Sequence, residues 1–245
     1  MPVAPQRVGH VTSVSRVVVR VAFTPAEALS APVGIVVDVL RATSTISQAL
    51  AAGYRRVLCC AEIEEARALA GEGVVLGGER RAVRIPGFDF GNSPSEFAGA
   101  PAGETLVLTT TNGTRLLLSA ASRCENVLVG SLLNLAAVVE AVRATGVDQV
   151  GVLCAGVAGE FALDDAYVAG RIAEALDGDT ADSALAAIRL ARTYASPEEA
   201  LGASRSAANL RSAGLAADVA WCAQESALRV VPRYLGMIGH AAEVA

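Results

Sequence analysis

The chain has 245 residues, 53% of them hydrophobic and 18% charged, with a formal net charge of −5. Such a length and apolar content bury a sizeable core and exclude a disordered chain, while the acidic balance and scattered arginines argue against nucleic acid as the main partner. No apolar run reaches the roughly 20 residues of a membrane helix, and Arg16 and Arg20 interrupt the Val-rich stretch near the start, so no membrane span or export signal is expected and the cytoplasm is the expected compartment.

Val17 to Phe23 reads as an opening strand, and Val33 to Val37 as a continuous apolar run of the kind buried on both faces. Thr43 to Ala52 has helical character until Gly53, which makes a strand-loop-helix unit. Arg56 to Cys60 is the next strand, Ile63 to Ala70 a short helix, and Val74 to Leu76 a strand that ends at Gly77-Gly78-Glu79. From Arg80 to Gly103 the prolines and glycines predict a long irregular connection, neither helix nor strand, and connections that long are often functional. Thr105 to Leu108, Asn126 to Val129 and Val150 to Leu153 are further strands, and Asp165 to Leu176 is the clearest helix. Beyond Asp182 the chain reads as mostly helical. Ser196 caps a helix with Pro197 at its first position, and Gly214 is expected to close it.

Alternating strands and helices predict an α/β fold, a three-layer α/β/α arrangement around a largely parallel or mixed sheet with a helical C-terminal region. Residues 1–245 are expected to form one such domain, or two lobes divided in the irregular segment 80–104. A loose echo between Val36 to Thr43 and Val107 to Thr114, each a strand running into a hydroxyl-rich turn and helix, suggests two related halves.

What is missing narrows the chemistry. The sequence contains no lysine, which excludes Schiff-base catalysis and the P-loop lysine. The two histidines, His10 and His240, lie near the ends and read as surface residues, so histidine triads and three-histidine metal sites are not expected. Five cysteines in no C-x-x-C pair suggest neither a disulfide framework nor a thiolate zinc site. No Arg stands six residues after any cysteine, no second aspartate follows Asp38-Val39, and no Arg-His-Gly occurs, so the common phosphatase signatures are absent. Carboxylate, hydroxyl, amide and arginine chemistry remain.

In an open α/β sheet ligands gather where strands end and helices begin. Asp38 ends the most apolar strand, and Arg41, Thr43, Ser44 and Thr45 follow at the helix entry. The plain reading is a capping aspartate on a Ser/Thr-rich helix start. Arg41 favours an anion cradle, because a guanidinium forks onto phosphate or sulfonate oxygens. Thr109-Thr110-Thr111-Asn112-Gly113-Thr114 offers hydroxyls, an amide and backbone N–H groups at the next such entry, with Ser131 and Asn134 a weaker version. Asp164 and Asp165 head a helix, where paired acids usually just complement its dipole. With Asp38 and Glu79 they place up to four carboxylates near one sheet edge, a hard oxygen set suited to magnesium.

These residues resemble a known family. Val37-Asp38-Val39-Leu40-Arg41-Ala42-Thr43-Ser44-Thr45, Gly78-Glu79-Arg80, Ile85 through Gly91-Asn92-Ser93-Pro94, and Leu108 to Thr114 look like 2-phosphosulfolactate phosphatases. So do Gly130-Ser131-Leu132-Leu133-Asn134, Cys154-Ala155-Gly156 with Phe161 to Asp165, and Cys222-Ala223-Gln224 before Val230-Val231-Pro232. The resemblance implies a three-layer α/β fold, a magnesium requirement, and hydrolysis of 2-phospho-3-sulfolactate to 3-sulfolactate and phosphate, a step of coenzyme M synthesis in many organisms. The chain departs from the pattern at Ser226 and Arg229, where aspartates are expected, and at Ser206-Ala207, where His-Gly is expected.

The expected assignment makes Asp38 and Arg41 catalytic. Thr43, Ser44, Thr45, Asn92, Thr111, Asn112, Gly113, Thr114, Ser131 and Asn134 bind substrate, and Asp38, Glu79, Asp164 and Asp165 hold magnesium. The partner is a small anionic phosphoester, with a homo-oligomer compatible. The competing reading is a non-catalytic small-anion-binding or sensing protein on the same fold.

Overall fold

The computed structural model describes residues 16–99 and 104–245; His10 and the first residues of the chain lie outside them. The chain runs through β1 (Val18–Ala22), β2 (Ala31–Val37), α1 (Ala42–Ala51), β3 (Arg56–Cys60), α2 (Ile63–Ala68) and β4 (Val74–Arg80). It continues through β5 (Val83–Arg84), α3 (Pro94–Ala98), β6 (Thr105–Thr109), α4 (Gly113–Ala121), β7 (Cys124–Gly130), α5 (Leu135–Thr145) and β8 (Gln149–Cys154). The last third holds α6 (Leu163–Leu176), β9 (Asp179–Thr180), α7 (Asp182–Ala191), α8 (Pro197–Gly202), α9 (Arg205–Ser212), α10 (Ala217–Cys222), β10 (Tyr234–Ile238) and β11 (Ala241–Val244).

The strands form two sheets. The first, in the order β7-β2-β8-β1-β9, is parallel throughout. In the second, β10-β11-β3-β6-β4-β5, the central strands β3, β6 and β4 are parallel and the flanking β11 and β5 antiparallel. The second sheet takes its parallel strands from the stretch between β2 and β7 and its hairpin from the C-terminus.

Side-chain alternation explains how the layers close. Val33, Ile35 and Val37 of β2 face α5 and α6, meeting Val138, Val142, Val168 and Ile172. Val36 points the other way, into a second core with Ile46 of α1, Leu116 and Leu117 of α4, and Val57, Leu106 and Leu108 of the second sheet. The far face of that sheet packs Leu58, Cys60 and Val107 against Ala66 of α2 and against Ile85 and Phe88. Helices therefore cover both faces of the parallel sheet, as the α/β expectation requires, and α1 and α4 lie between the sheets. Among the described residues no helix is long and apolar enough to cross a membrane. All five cysteines are free and buried, and His240 is exposed.

Several local expectations change. The stretch 80–103, expected to hold neither helix nor strand, contains β5 and α3; Ser93 and Glu96 form a capping box around Pro94 at the helix start. The helix begun at Ser196 stops at Gly202, because Ser204 starts a new one by accepting a bond from the Ala207 N–H; Gly214, at φ 78°, follows α9 instead. The C-terminal region is helical only to Cys222, and the β10-β11 hairpin after it turns at Gly239.

Candidate active site

A cavity of about 610 Å³ lies where the carboxyl ends of strands from both sheets meet. The expected single sheet edge is thus a seam. Asp38 comes from the first sheet, Glu79 and the threonine-rich turn come from the second, and α9 closes the far side.

Asp38 sits in the turn between β2 and α1, 9% exposed. Its Oδ1 accepts weakly from the Ala42 N–H, at 3.4 Å. Burial lifts its pKa to about 7; the Ala42 bond opposes this, the charges of Asp164 and Glu79 add to it, and Arg41 opposes. α4 presses on the same carboxylate. A Cβ on Gly113 would stand 2.9 Å from Asp38 Oδ2 and 2.5 Å from the Ala42 Cβ, so only glycine lets this helix start here. Arg41 is buried beside Asp38, and its Nη1 donates to Asp218 Oδ2 at 2.6 Å.

Glu79 acts as a clasp between two walls. Its Oε2 accepts from the Ala82 N–H at 2.7 Å, and its Oε1 accepts from the Thr111 N–H and hydroxyl at 3.2 and 3.0 Å. The acid therefore fixes the β4-β5 turn, where Arg81 and Ala82 take positive φ, to the turn before α4. Two buried polar atoms on the cavity-lining residues, Thr110 Oγ1 and Asn92 Oδ1, have no partner among the described residues. Buried polar groups are rarely left unpaired, so each of these two calls for a water or a ligand atom as partner.

Asp164 and Asp165 open α6, both buried. Asp165 is a strut: Oδ1 accepts from the Val39 N–H at 2.9 Å and Oδ2 from the Gly156 N–H at 3.0 Å. Burial, then the charges of Asp164 and Asp38, nevertheless hold its carboxyl well above the usual range. Asp164 accepts from the Ser206 hydroxyl at 3.1 Å and lines a smaller cavity of about 140 Å³ that shares Val157 and Ser206 with the large one. Burial raises it to about 6, against its own N–H and the hydroxyls of Ser206 and Ser204.

Among the described residues no three His, Cys, Asp or Glu side chains form a ready-made metal cage. The donor set still suits a hard cation. It is all oxygen, and Asp38 and Asp164 carry mutually repelling charge that Arg41, already paired with Asp218, does not cancel. Magnesium is commonly held by one or two carboxylates with waters and substrate oxygens completing its shell.

The structure brings Asp38, Arg41, Glu79, Asn92, Thr111 and Asn112 to the cavity wall. Thr43, Ser44, Thr45 and Thr114 are buried and outside the lining. Thr43 accepts from the Asp38 N–H, Ser44 donates to the Val39 carbonyl, and Thr45 donates to the Asn92 carbonyl. Ser131 and Asn134 also lie off the cavity. The Ser131 N–H and hydroxyl donate to Asn134 Oδ1, and the Asn134 amide donates to the Val129 and Val230 carbonyls, tying β7 to the C-terminal segment.

The sequence points to neither Asp218 nor Arg81 nor Asn209 and Ser212 of α9, and it marks Ser206 of the same helix only as a departure from the family pattern. Asp218 alone had a signal: it is an acid in a short helix whose apolar neighbours Val219 and Cys222 are buried, and a buried Arg41 requires a counterion. Its Oδ1 also accepts from the Ser93 hydroxyl at 2.5 Å, which joins α10, α3 and the Arg41 turn.

The family model described as 2-phosphosulpholactate phosphatase matches residues 19–236. A protein of Thermus thermophilus named "Probable 2-phosphosulfolactate phosphatase" is 41% identical over 91% of this chain and 96% of its own length. One of the same name from Thermotoga petrophila is 39% identical over 87% and 94%. The Methanothermobacter thermautotrophicus protein named "2-phosphosulfolactate phosphatase" is 42% identical over 82% of this chain and 85% of its own. The chain belongs to the 2-phosphosulpholactate phosphatase family, a family of phosphoric monoester hydrolases.

Proposed function

We propose that the chain hydrolyses 2-phospho-3-sulfolactate to 3-sulfolactate and inorganic phosphate, with magnesium bound at Asp38 and Asp164. The carrying observation is the seam cavity, in which a buried carboxylate, a buried arginine and a hydroxyl-rich helix entry converge around unpartnered polar atoms. Its volume suits a small metabolite. The names of the relatives supply the substrate, and the five buried free thiols suit a reducing cytoplasm.

Hydrolysis adds water to phosphorus and breaks the ester bond, and the alcohol leaves with a proton. Phosphate monoesters are so inert that accelerations reach about 10²¹-fold, supplied mainly by positioning and charge stabilisation. Arg41, held still by Asp218, offers guanidinium donors at the cavity wall. The first-turn N–H groups of α4 lack intrahelical acceptors and carry the positive end of the helix dipole, suiting them to phosphoryl oxygens. The Thr110 hydroxyl and Asn92 Oδ1, unpartnered among the described residues beneath this wall, are the side-chain donor and acceptor that a small shift would offer to substrate or to a bridging water. Magnesium, when bound, would offset the negative charge shared by Asp38, Asp164 and the phosphoryl group.

Purified protein incubated with 2-phosphosulfolactate is the test. Phosphate release that stops with chelator and returns with magnesium supports the proposal. Release that ignores chelator removes the metal, and tight binding without release removes the hydrolysis and favours an anion sensor.

A further inference from the structure

The walls of the cavity differ in charge. The α9 wall contributes Ser206, Asn209 and Ser212, none of them charged, and the α4 turn contributes threonines and Asn112. Among the described residues only two that line the cavity are cationic, Arg41 and Arg81. Arg41 is committed to Asp218. Arg81 is exposed at the rim and, among the described residues, makes no ion pair or side-chain hydrogen bond. Its place is nonetheless fixed. The backbone takes the left-handed region at Arg81 (φ 53°) and Ala82 (φ 63°), and the Ala82 N–H is held by Glu79.

A phosphoester with further acid groups brings more negative charge than the committed Arg41 balances, into a cavity already lined by Asp38 and Glu79. We propose that Arg81 is the specificity residue that reads a second strong anion on the substrate, its sulfonate, so that the phosphoryl group faces Asp38 and Arg41 while the acidic tail faces the β4-β5 turn. The inference rests on the function proposed above. A guanidinium is suited to the task, since it is always charged and matches the spacing of sulfonate oxygens. Glu79 then has a second duty, because the carboxylate that orders the phosphate-side turn also sets the tail-side arginine.

The test crosses Arg81→Gln with three substrates whose tails lose charge in turn: 2-phosphosulfolactate, 2-phospholactate and glycerol 2-phosphate. For the sulfonated substrate KM is expected to rise about three- to fivefold, the upper end for one solvated charge contact, with kcat within about twofold. The rise shrinks for 2-phospholactate and vanishes for glycerol 2-phosphate, and Arg81→Lys restores most of the loss. An equal change for all three substrates, or none for the first, overturns the inference. Calorimetric binding of 3-sulfolactate and of inorganic phosphate needs no turnover. Arg81→Gln should weaken the first and spare the second, and the reverse overturns the assignment. Wild-type protein that releases no phosphate from any substrate sinks the hydrolase reading, while the calorimetry still decides Arg81.

Discussion

Two turns of similar sequence character meet at the site, Asp38 to Thr45 after β2 and Thr109 to Thr114 after β6, and they differ in one hydroxyl: Thr109 and Thr111 of the second turn are bonded to Arg80 and Glu79, and Thr110 is bonded to nothing among the described residues. In the first, Thr43, Ser44, Thr45 and also Ser47 all spend their hydroxyls on the protein, on the Asp38 N–H and on the carbonyls of Val39, Asn92 and Thr43. What that turn presents to the cavity is charge, through Asp38 and Arg41. In the second, Thr110 keeps an unpartnered hydroxyl, Thr111 gives its own to Glu79, and Asn112 borders the cavity. A Ser/Thr-rich helix entry therefore signals a binding surface only when its hydroxyls are left unspent, and composition does not report that.

The contrast breaks most sharply at Asp38. Asp38→Asn should lower kcat by about a thousandfold or more, an effect of the size lost with a central electrostatic group. The same variant should be more stable above neutral pH. The wild-type carboxyl binds its proton more tightly folded, near pH 7, than unfolded, near 3.8, so folding loses stability as pH rises through that window. Melting at pH 8 should show a gain on the order of 3 kcal/mol for Asp38→Asn, closing by pH 4. An unchanged pH profile would mean that Asp38 is not starved of partners.

Asp218→Ala comes next. It leaves Arg41 buried and unpaired, which costs about 3–5 kcal/mol, seen as a midpoint lowered by roughly 10 °C. Smaller again is the comparison of threonines. Thr110→Val should raise KM about tenfold and leave stability unchanged, because its hydroxyl has no protein partner to lose. Thr43→Val should do the reverse, with kinetics within about twofold and stability down by about 1 kcal/mol. If both variants alter KM alike, the distinction between the turns fails.

Strands and charges were readable in advance, and partnerships were not. The apolar run of β2 and the acid and arginine after it are local signals, and they placed Asp38 and Arg41 on the cavity wall. That Glu79 arrives from a second sheet is a matter of pairing between β4 and β6, which no local pattern carries. Arg81 was lost because the segment after β4 read as irregular, whereas an acid two residues upstream fixes its turn. Ser131 and Asn134 read as an anion turn, and the structure spends them tying β7 to the irregular segment before β10.

The Arg41–Asp218 pair joins residues 177 positions apart, and the Ser93–Asp218 bond spans 125. Contacts of such separation close long loops, whose entropy must be offset before the contacts reward it. During synthesis Asp38, Arg41 and the threonine turn emerge long before α10. A nascent chain therefore holds its chemistry in separate pieces, and the site becomes competent only when the last helix docks.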